Sequence, residues 1–468
     1  MNDYRNSSHK LNKLRKFLLK YWAFIGLTSS SMLIVLVCLS PFDIIYPDIS
    51  SLSISDILHE FLNSAVSVDD LSANILLFLP LGFSLSGILG DRYEKIRKFI
   101  IIFFTCTTLS LAMEMSQFFI GMRSPSILDL IMNSFGGLLG ATLLSFSGTF
   151  SSKVLVLGVY IQEHYITPKK LTFIAIAYIG LLVFLTVSIQ RTNNFSNWDQ
   201  SFPLVVGNES TGDRPWHGRI SQLYIAGRSL SKSEIHQALD SCCSLEKMNT
   251  WTSFYELTNG ARFPDRNGYS PDLVWHDHNP QMAPNRMLPI NQKAWLLTQE
   301  PATRLISAIR QSSQFSLMLT VSTNDHQQFG PARIVSFSKD LFQRNLTIGQ
   351  EQGRLIVRLR TPWSGIEGRN PEFAFPGVFK DDQPHRLLLT FDHTRLKLYI
   401  DSVEKFYTIR LSTDVLFFRF LPAVGVRNFQ ITPINQWFLR VAFYFLSFFL
   451  PAMMTILIIR NNHQKSYI

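Results

Sequence analysis

The chain has 468 residues, 46% of them apolar, and 44 Lys plus Arg against 34 Asp plus Glu give a formal charge of +10. That length holds two or three domains, and four cysteines are too few for a disulfide framework. The basic excess does not indicate nucleic acid, because much of it lies in short segments beside apolar runs, where it sets membrane orientation.

A basic tail over residues 1–20, with Arg5, Lys10, Lys13, Arg15, Lys16 and Lys20, leads into the apolar run Tyr21–Leu39. That run is too long for a signal-peptide core and ends without a small-residue cleavage site, so it reads as a retained anchor. A bilayer core needs roughly 20 apolar residues in helix. Leu71–Gly90, Phe99–Ile120, Ile127–Ser147 and Leu171–Ile189 meet that need, as does Gln436–Ile459 near the end. Val154–Ile161 is too short to cross and reads as interfacial. The pattern predicts five membrane helices over 21–190, a sixth over 436–459 and a tail at 460–468. Lys and Arg orient the spans. The N-terminal tail, the loop "DRYEKIRK" and the loop carrying Lys153, Lys169 and Lys170 are basic, whereas 40–70 holds no Lys or Arg. Both termini are therefore expected in the cytoplasm, with residues 191–435 outside; Arg123, in a short outer loop, is the single exception to the charge rule.

Polar residues interrupt these spans. Asp70 and Asn74 stand at the outer end of the second, Glu114 and Gln117 on one face of the third, and Asp129 and Asn133 on one face of the fourth. Glu114 lies about 9 Å below the outer end at 1.5 Å per residue. Together with Arg123 the seven can converge in the outer leaflet. Gly136 and Gly140 form G-x-x-x-G, which lets helix backbones approach closely. Ionisable groups in spans are costly unless paired, and they indicate function by default. Pairing of Arg123 with Asp129 or Asp70, and amide bonds between helices, would account for the same residues without chemistry.

"DDLSANILLFLPLGF" and "EMSQFFIGMRSPSILDLIMNSFGGLLG" resemble the VanZ-like membrane proteins. The matching pattern maps onto Asp70, Asn74, Phe78, Pro80, Gly82, Glu114, Gln117, Arg123, Asp129, Asn133, Gly136 and Gly137. The resemblance covers roughly residues 30–147. It implies a bacterial cell-envelope protein, multi-pass in the cytoplasmic membrane, in a family whose founding member is associated with teicoplanin resistance.

Residues 191–435 change character to short alternating strands. "FSLMLTV" alternates Phe315, Leu317, Leu319 and Val321 against more polar neighbours, apart from Met318; "RLIVRLR" does the same with Leu355, Val357 and Leu359. "HRLLLTFDHTRLKLYID" reads as a hairpin turning near Asp392–Thr394. Many such strands predict a β-sandwich. "PWHGRISQLYIAGRSLSKSEI", with the capping pair Ser231 and Glu234, and "QPHRLLLTFDHTRLKLYIDS" resemble laminin G-like and concanavalin A-like jelly rolls, although the first passage usually closes such a domain and here precedes its body. The fold class expected is therefore a transmembrane bundle of about six spans plus an extracytoplasmic concanavalin A-like sandwich.

No glutamate here has Asp two residues later, so the E-x-D-x-x-E strand of sandwich-fold glucanases is missing; binding of glycan or protein is the better expectation than hydrolysis, with a purely structural cap as the alternative. Trp216, Trp275, Trp295 and Trp363 are suited to stacking on sugars, though core packing is the commoner role. His276 and His278 make half a metal site; no metal and no other cofactor is expected. Cys242 and Cys243 are adjacent, with Cα atoms about 3.8 Å apart, so a strained vicinal disulfide, an intermolecular bridge and free thiols stay open.

Two functions follow. One is a membrane-anchored protein that binds an extracellular glycan or wall polymer. The other is a membrane enzyme or carrier for a lipid-linked precursor, with Glu114 and Asp129 as acid/base or cation-handling groups and Arg123 holding a phosphate or carboxylate. Membrane lipids are partners in both, and nucleic acid in neither.

Overall fold

The computed structural model describes residues 26–39, 68–90, 92–119, 125–146, 168–240, 250–276 apart from 259, 287–420 and 429–445, with scattered positions elsewhere. The chain divides into two compact units: Met1–Leu181 with Pro422–Arg427 and Phe445–Ile468, and Leu182–Leu421 with Asn428–Tyr444.

The first unit is helical. Its elements are α1 (Gly26–Leu39), α2 (Val68–Leu89), α3 (Lys95–Gln117), α4 (Ile127–Phe146) and α5 (Pro168–Arg191), the last turns of which belong to the second unit. Leu71–Leu89, Lys95–Gln117, Ile127–Ser145 and Thr172–Arg191 are long and apolar enough to cross a membrane, while α1 is shorter. Four of the six predicted spans are thus present as crossing-length helices. The first is continuously described only from Gly26; half of Gln436–Ile459 is described, as helix, and Val154–Ile161 lies outside the described residues.

The core of this unit gathers Ile34 and Cys38 from α1, Phe78 and Leu81 from α2, Ile102 and Cys106 from α3 and Ala141 from α4. Glycines set the α2–α4 crossing. A Cβ on Gly82 would collide with the carbonyl of Gly137, one on Gly136 with the carbonyl of Ile75, and one on Gly140 with the carbonyl of Leu79. Backbone therefore lies on backbone, and dispersion and weak polar contacts replace the hydrophobic drive that lipid removes. On α5, Phe173, Ile176, Val183 and Phe184 are all exposed. A helix apolar on every side with so little of it buried suits hydrocarbon, where its backbone polar groups are satisfied internally.

The second unit is a two-sheet β-domain. Its strands are β1 (Leu204–Val206), β2 (Gly218–Ala226), β3 (Ser253–Glu256), β4 (Arg262–Phe263), β5 (Leu273–Trp275), β6 (Leu288–Ile290), β7 (Leu296–Thr298) and β8 (Phe315–Thr323). After these come β9 (Ala332–Ser338), β10 (Arg344–Glu351), β11 (Arg354–Leu359), β12 (Glu372–Phe375), β13 (His385–Phe391), β14 (Arg395–Ile400), β15 (Ser402–Arg410) and β16 (Gln430–Ile431). One sheet runs β16-β12-β11-β10-β9-β1-β7-β5-β4; the other runs β15-β14-β13-β8-β2-β3, with β6 also on β2. Pairing is antiparallel except for β12 with β16. The predicted hairpin is β13–β14, with Leu389 opposite Leu398.

Aromatic rings bridge the sheets. Phe195 stacks on Trp198 at 4.5 Å and on Phe391 of β13 at 5.2 Å, and Trp198 lies 6.4 Å from Phe337 of β9. Leu317, Leu319, Leu387 and Leu389 share the inward face, as the alternation predicts. Met318 points the other way for a physical reason. Tyr224, Met318, Leu388 and Tyr399 are register neighbours across four strands, and helix α6 (Lys232–Asp240) covers them with Ile235, Ala238 and Leu239. Both faces of β8 are therefore buried. The α6 cap is the predicted box: Glu234 Oε2 accepts the Ser231 N–H at 2.8 Å and Ser231 Oγ accepts the Glu234 N–H at 3.4 Å. The Arg228 guanidinium, donating at 2.9 Å, holds the Glu234 carboxyl down at about 2.

Candidate functional site

Of the seven predicted polar residues, Glu114, Gln117 and Asn133 lie along a seam joining α1, α3 and α4, and Asp129 stands at its end. Thr107, Ser110, Glu114 and Gln117 recur along α3 at helical spacing, so they form one stripe. Glu114 is 1% exposed, and its Oε2 accepts the backbone N–H of Ser126 at 2.9 Å. Ser126 immediately precedes α4, and its own Oγ accepts the Leu128 N–H at 3.2 Å. In a capping box the glutamate comes from the same helix; here the neighbour supplies it. The carboxylate thus sits at the positive end of the α4 dipole, and Asp129, half-buried in the first turn of α4, shares that end. Two acids within spans have a common cause: both complement one helix terminus.

Gln117, also buried, donates from Nε2 to the carbonyl of Cys38 at 3.4 Å, in the last turn of α1, where carbonyls lack intrahelical partners. Deeper along the seam, Asn133 Nδ2 donates to Ser110 Oγ at 2.9 Å and Thr107 Oγ1 meets Ser134 Oγ at 2.9 Å. The Asn133 Oδ1 is buried with no hydrogen-bond partner among the described residues. Asn74 is half-buried beside Ile75, whose backbone meets Gly136 one turn on from Asn133. The structure therefore places Glu114, Gln117 and Asn133 along one buried seam, each bonded to its own partner, with Asp129 at the α4 end. The side chain of Asp70 and all of Arg123 lie outside the described residues.

Sequence reading missed Thr107, Ser110, Ser126 and Ser134. Their signal was the 3-4-3 spacing that places the α3 pair on the Glu114 face. It was easy to overlook because Ser and Thr in apolar helices often bond their own helix, as Ser134 Oγ also does to the Leu130 carbonyl at 2.7 Å.

In the β-domain the four tryptophans expected to stack on sugars are packed against or bonded to other parts of the domain. Trp216 is fully buried and donates to Gln350 Oε1 at 2.8 Å; Trp275 donates to the Gly260 carbonyl at 3.0 Å. Trp295 stacks on His276 at 4.1 Å, and Trp363 donates to the Ile189 carbonyl at 3.0 Å. His278, Cys242 and Cys243 lie outside the described residues. Among the described residues no group of three or more His, Cys, Asp or Glu is placed to hold a metal.

The β-domain instead buries charge on the outer face of its larger sheet. Arg333 Nε donates to Glu209 Oε2 at 3.2 Å, and Ser338 Oγ donates to the other oxygen of Glu209. Arg358 Nε donates to Glu372 Oε2 at 2.8 Å. Burial, with Arg358 and Arg344 nearby, pushes the Arg333 guanidinium down to about 9. Arg344, 1% exposed, is displaced to about 10 by burial.

Crossing-length apolar helices, glycine-mediated crossings and an interhelical polar seam define an integral membrane protein joined to a β-sandwich-like domain. Residues 17–148 match the VanZ/LLP1 family, so the helical segment is VanZ-like. No curated protein and no solved structure matches the chain.

Proposed function

We propose that this is a multi-pass protein of the bacterial cytoplasmic membrane, in which the VanZ-like helices act as a scaffold and the β-domain recognises an extracellular glycan or wall polymer. The observation that carries this reading is where the seam uses its polarity. Glu114, Gln117 and Asn133 each hydrogen-bond a neighbouring helix or helix end, so their first role is to hold the bundle. The charge distribution around the spans supports cytoplasmic termini and an outer β-domain. A laminin G-like or concanavalin A-like identity is favoured by the β2–α6 passage and the β13–β14 hairpin, and glycan recognition follows from that likeness as a fold-level analogy. A link to glycopeptide resistance rests on the VanZ-like segment alone. The test is full-length protein in nanodiscs against a broad panel of glycans and wall polymers. Saturable retention of at least one is expected, and none retained overturns the reading.

One observation favours the second reading, a membrane enzyme or carrier for a lipid-linked envelope precursor. The Asn133 Oδ1 is buried in the seam without a partner among the described residues, as an acceptor waiting for a substrate donor would be. Glu114 and Asp129 would then handle protons or cations, and Arg123 would hold a phosphate or carboxylate. Glu114→Gln that leaves envelope phenotype and protein abundance unchanged refutes this alternative.

A further inference from the structure

The β-domain carries a second polar feature, at the end where α5 enters it. Trp363 Nε1 donates to the Ile189 carbonyl at 3.0 Å and Asn193 Nδ2 to the Leu411 carbonyl at 2.5 Å, so the last turn of α5 is tied to the sandwich. Directly after this turn the chain forms one wall of an open cleft of about 450 Å³, lined by Ser196, Asn197, Asp199, Ser201, Arg310 and Arg360 among others. The wall is braced. Asp199 N–H donates to Asn345 Oδ1 at 2.9 Å and Asn345 Nδ2 to the Asp199 carbonyl at 2.6 Å, while Trp198 Nε1 donates to the Arg360 carbonyl at 2.8 Å.

Cations dominate this end. Arg310, in the last turn of helix α7 (Thr303–Ser312), is exposed, and Arg360 follows β11. Among the described residues that line the cleft, the Nε of Arg360 is a buried donor without a hydrogen-bond partner. Backbone bonds tie this part of the cleft wall to its neighbours. Arg360 N–H donates to the Asn345 carbonyl at 2.8 Å, and Arg344 N–H to the Ile366 carbonyl at 3.1 Å, so the loop bearing Arg369 folds back over the start of β10. Against the arginines, Asp199 is the one carboxylate lining the cleft. It is engaged by Ser201, whose N–H and Oγ donate at 2.9 and 2.7 Å and hold it below the ordinary carboxylate range, and it also acts on the charge of Arg360, so a bound anion shares that guanidinium with it. Lys339 lies close enough to Asp199 to add to the positive side. Glu367 and Glu209 act on Arg344 behind the cleft, and Glu209 is engaged by Arg333. A guanidinium N–H such as the Arg360 Nε, buried without an acceptor, is costly until an anion supplies an oxygen.

We propose that this cleft binds a phosphate-type oxyanion, with the guanidinium groups of Arg310 and Arg360 as its ligands. Planar guanidinium forks match tetrahedral phosphate oxygens by paired charge-assisted bonds. The hydroxyl of Ser196 and the amide NH2 of Asn197, both in the cleft lining, complete the donor set. Because the cleft follows a membrane-crossing helix, a phospholipid headgroup and a soluble phosphate are the two sources of this chemistry. The site stands independently of glycan recognition elsewhere on the domain.

Full-length protein in phosphatidylcholine nanodiscs is titrated with inorganic phosphate and, separately, with dihexanoyl phosphatidylglycerol. Phosphorus NMR reports binding. The expected result is saturable binding of either probe, weakened about tenfold or more in Arg310→Gln/Arg360→Gln and unchanged in Lys405→Gln, a charge-matched control on β15. Binding of inorganic phosphate assigns a soluble source, and binding of the lipid alone assigns a headgroup. No saturable binding of either probe, or equal binding by wild type and double variant, overturns the proposal. Should the double variant misfold, Arg310→Gln on the exposed face of α7 carries the same test.

Discussion

The helical unit and the β-domain both bury polar groups, and they do so in opposite ways. In the helices the polar side chains are few, mostly neutral, and bonded across a seam between neighbours: Glu114 to Ser126, Asn133 to Ser110, Thr107 to Ser134. In the β-domain whole ion pairs, Arg333 with Glu209 and Arg358 with Glu372, are sunk on the outer face of a sheet. The difference follows from the solvent. Lipid makes apolar packing worth little between helices, so small residues and hydrogen bonds provide cohesion. Water makes apolar burial the main drive in the sandwich, which can then carry the desolvation of several charges.

Breaking the glycine crossing has the largest expected effect. Gly82→Leu and Gly140→Leu place side chains into the facing backbone and abolish accumulation of full-length protein in the membrane fraction, read by immunoblot. Gly180→Leu is the contrast, because a Cβ there meets nothing within 4 Å; its accumulation stays at the wild-type level. Next comes the buried charge of the sandwich. Glu209→Gln leaves the Arg333 guanidinium without its carboxylate and costs about 3–5 kcal/mol, whereas Glu209→Leu/Arg333→Met restores most of that loss. Tryptophan fluorescence in a thermal melt reads this cleanly, since of the eight tryptophans only Trp22 precedes residue 182.

Smaller effects sharpen the contrast. Glu114→Gln keeps the shape of the seam and removes the charge at the α4 terminus, for an expected loss of about 1–2 kcal/mol in a helical-CD melt. A melt unchanged by this substitution would remove the capping role. Smallest is Glu234→Gln at the α6 cap, about 1 kcal/mol at neutral pH. The folded carboxyl lies near 2, below its ordinary 4.5. Its contribution is therefore complete above about pH 4.5 and is lost as pH falls toward 2. The wild-type and variant melting curves converge across that window; a gap that stays constant from pH 7 to pH 2 would show that the charge contributes nothing.

Much of this molecule was legible along the chain, and the particulars show why. Apolar runs near 20 residues marked α2, α3, α4 and α5 because each needs only its own composition to be a crossing helix. The period-two pattern of Phe315–Val321 marked β8, and the Ser231/Glu234 spacing marked the start of α6. Met318 broke the pattern, and only the position of α6 over Tyr224 and Leu388 explains it. Glu114, Gln117, Asp129 and Asn133 stood out as polar in apolar surroundings, but their partners did not. Ser126 offers a backbone N–H and Cys38 a backbone carbonyl, groups that every residue type carries.

The sequence by itself determined four segments long and apolar enough to cross a membrane, several strands of the β-domain such as β8 and the β13–β14 hairpin, and which residues of the VanZ-like segment are polar, because composition and periodicity are local properties. Tertiary structure decided that Glu114 caps a neighbouring helix, that Arg333 meets Glu209 across 124 residues, and that Arg310 and Arg360 face one cleft. Those are meetings of groups far apart in the chain, set by helix crossings and strand register, and no local pattern encodes them.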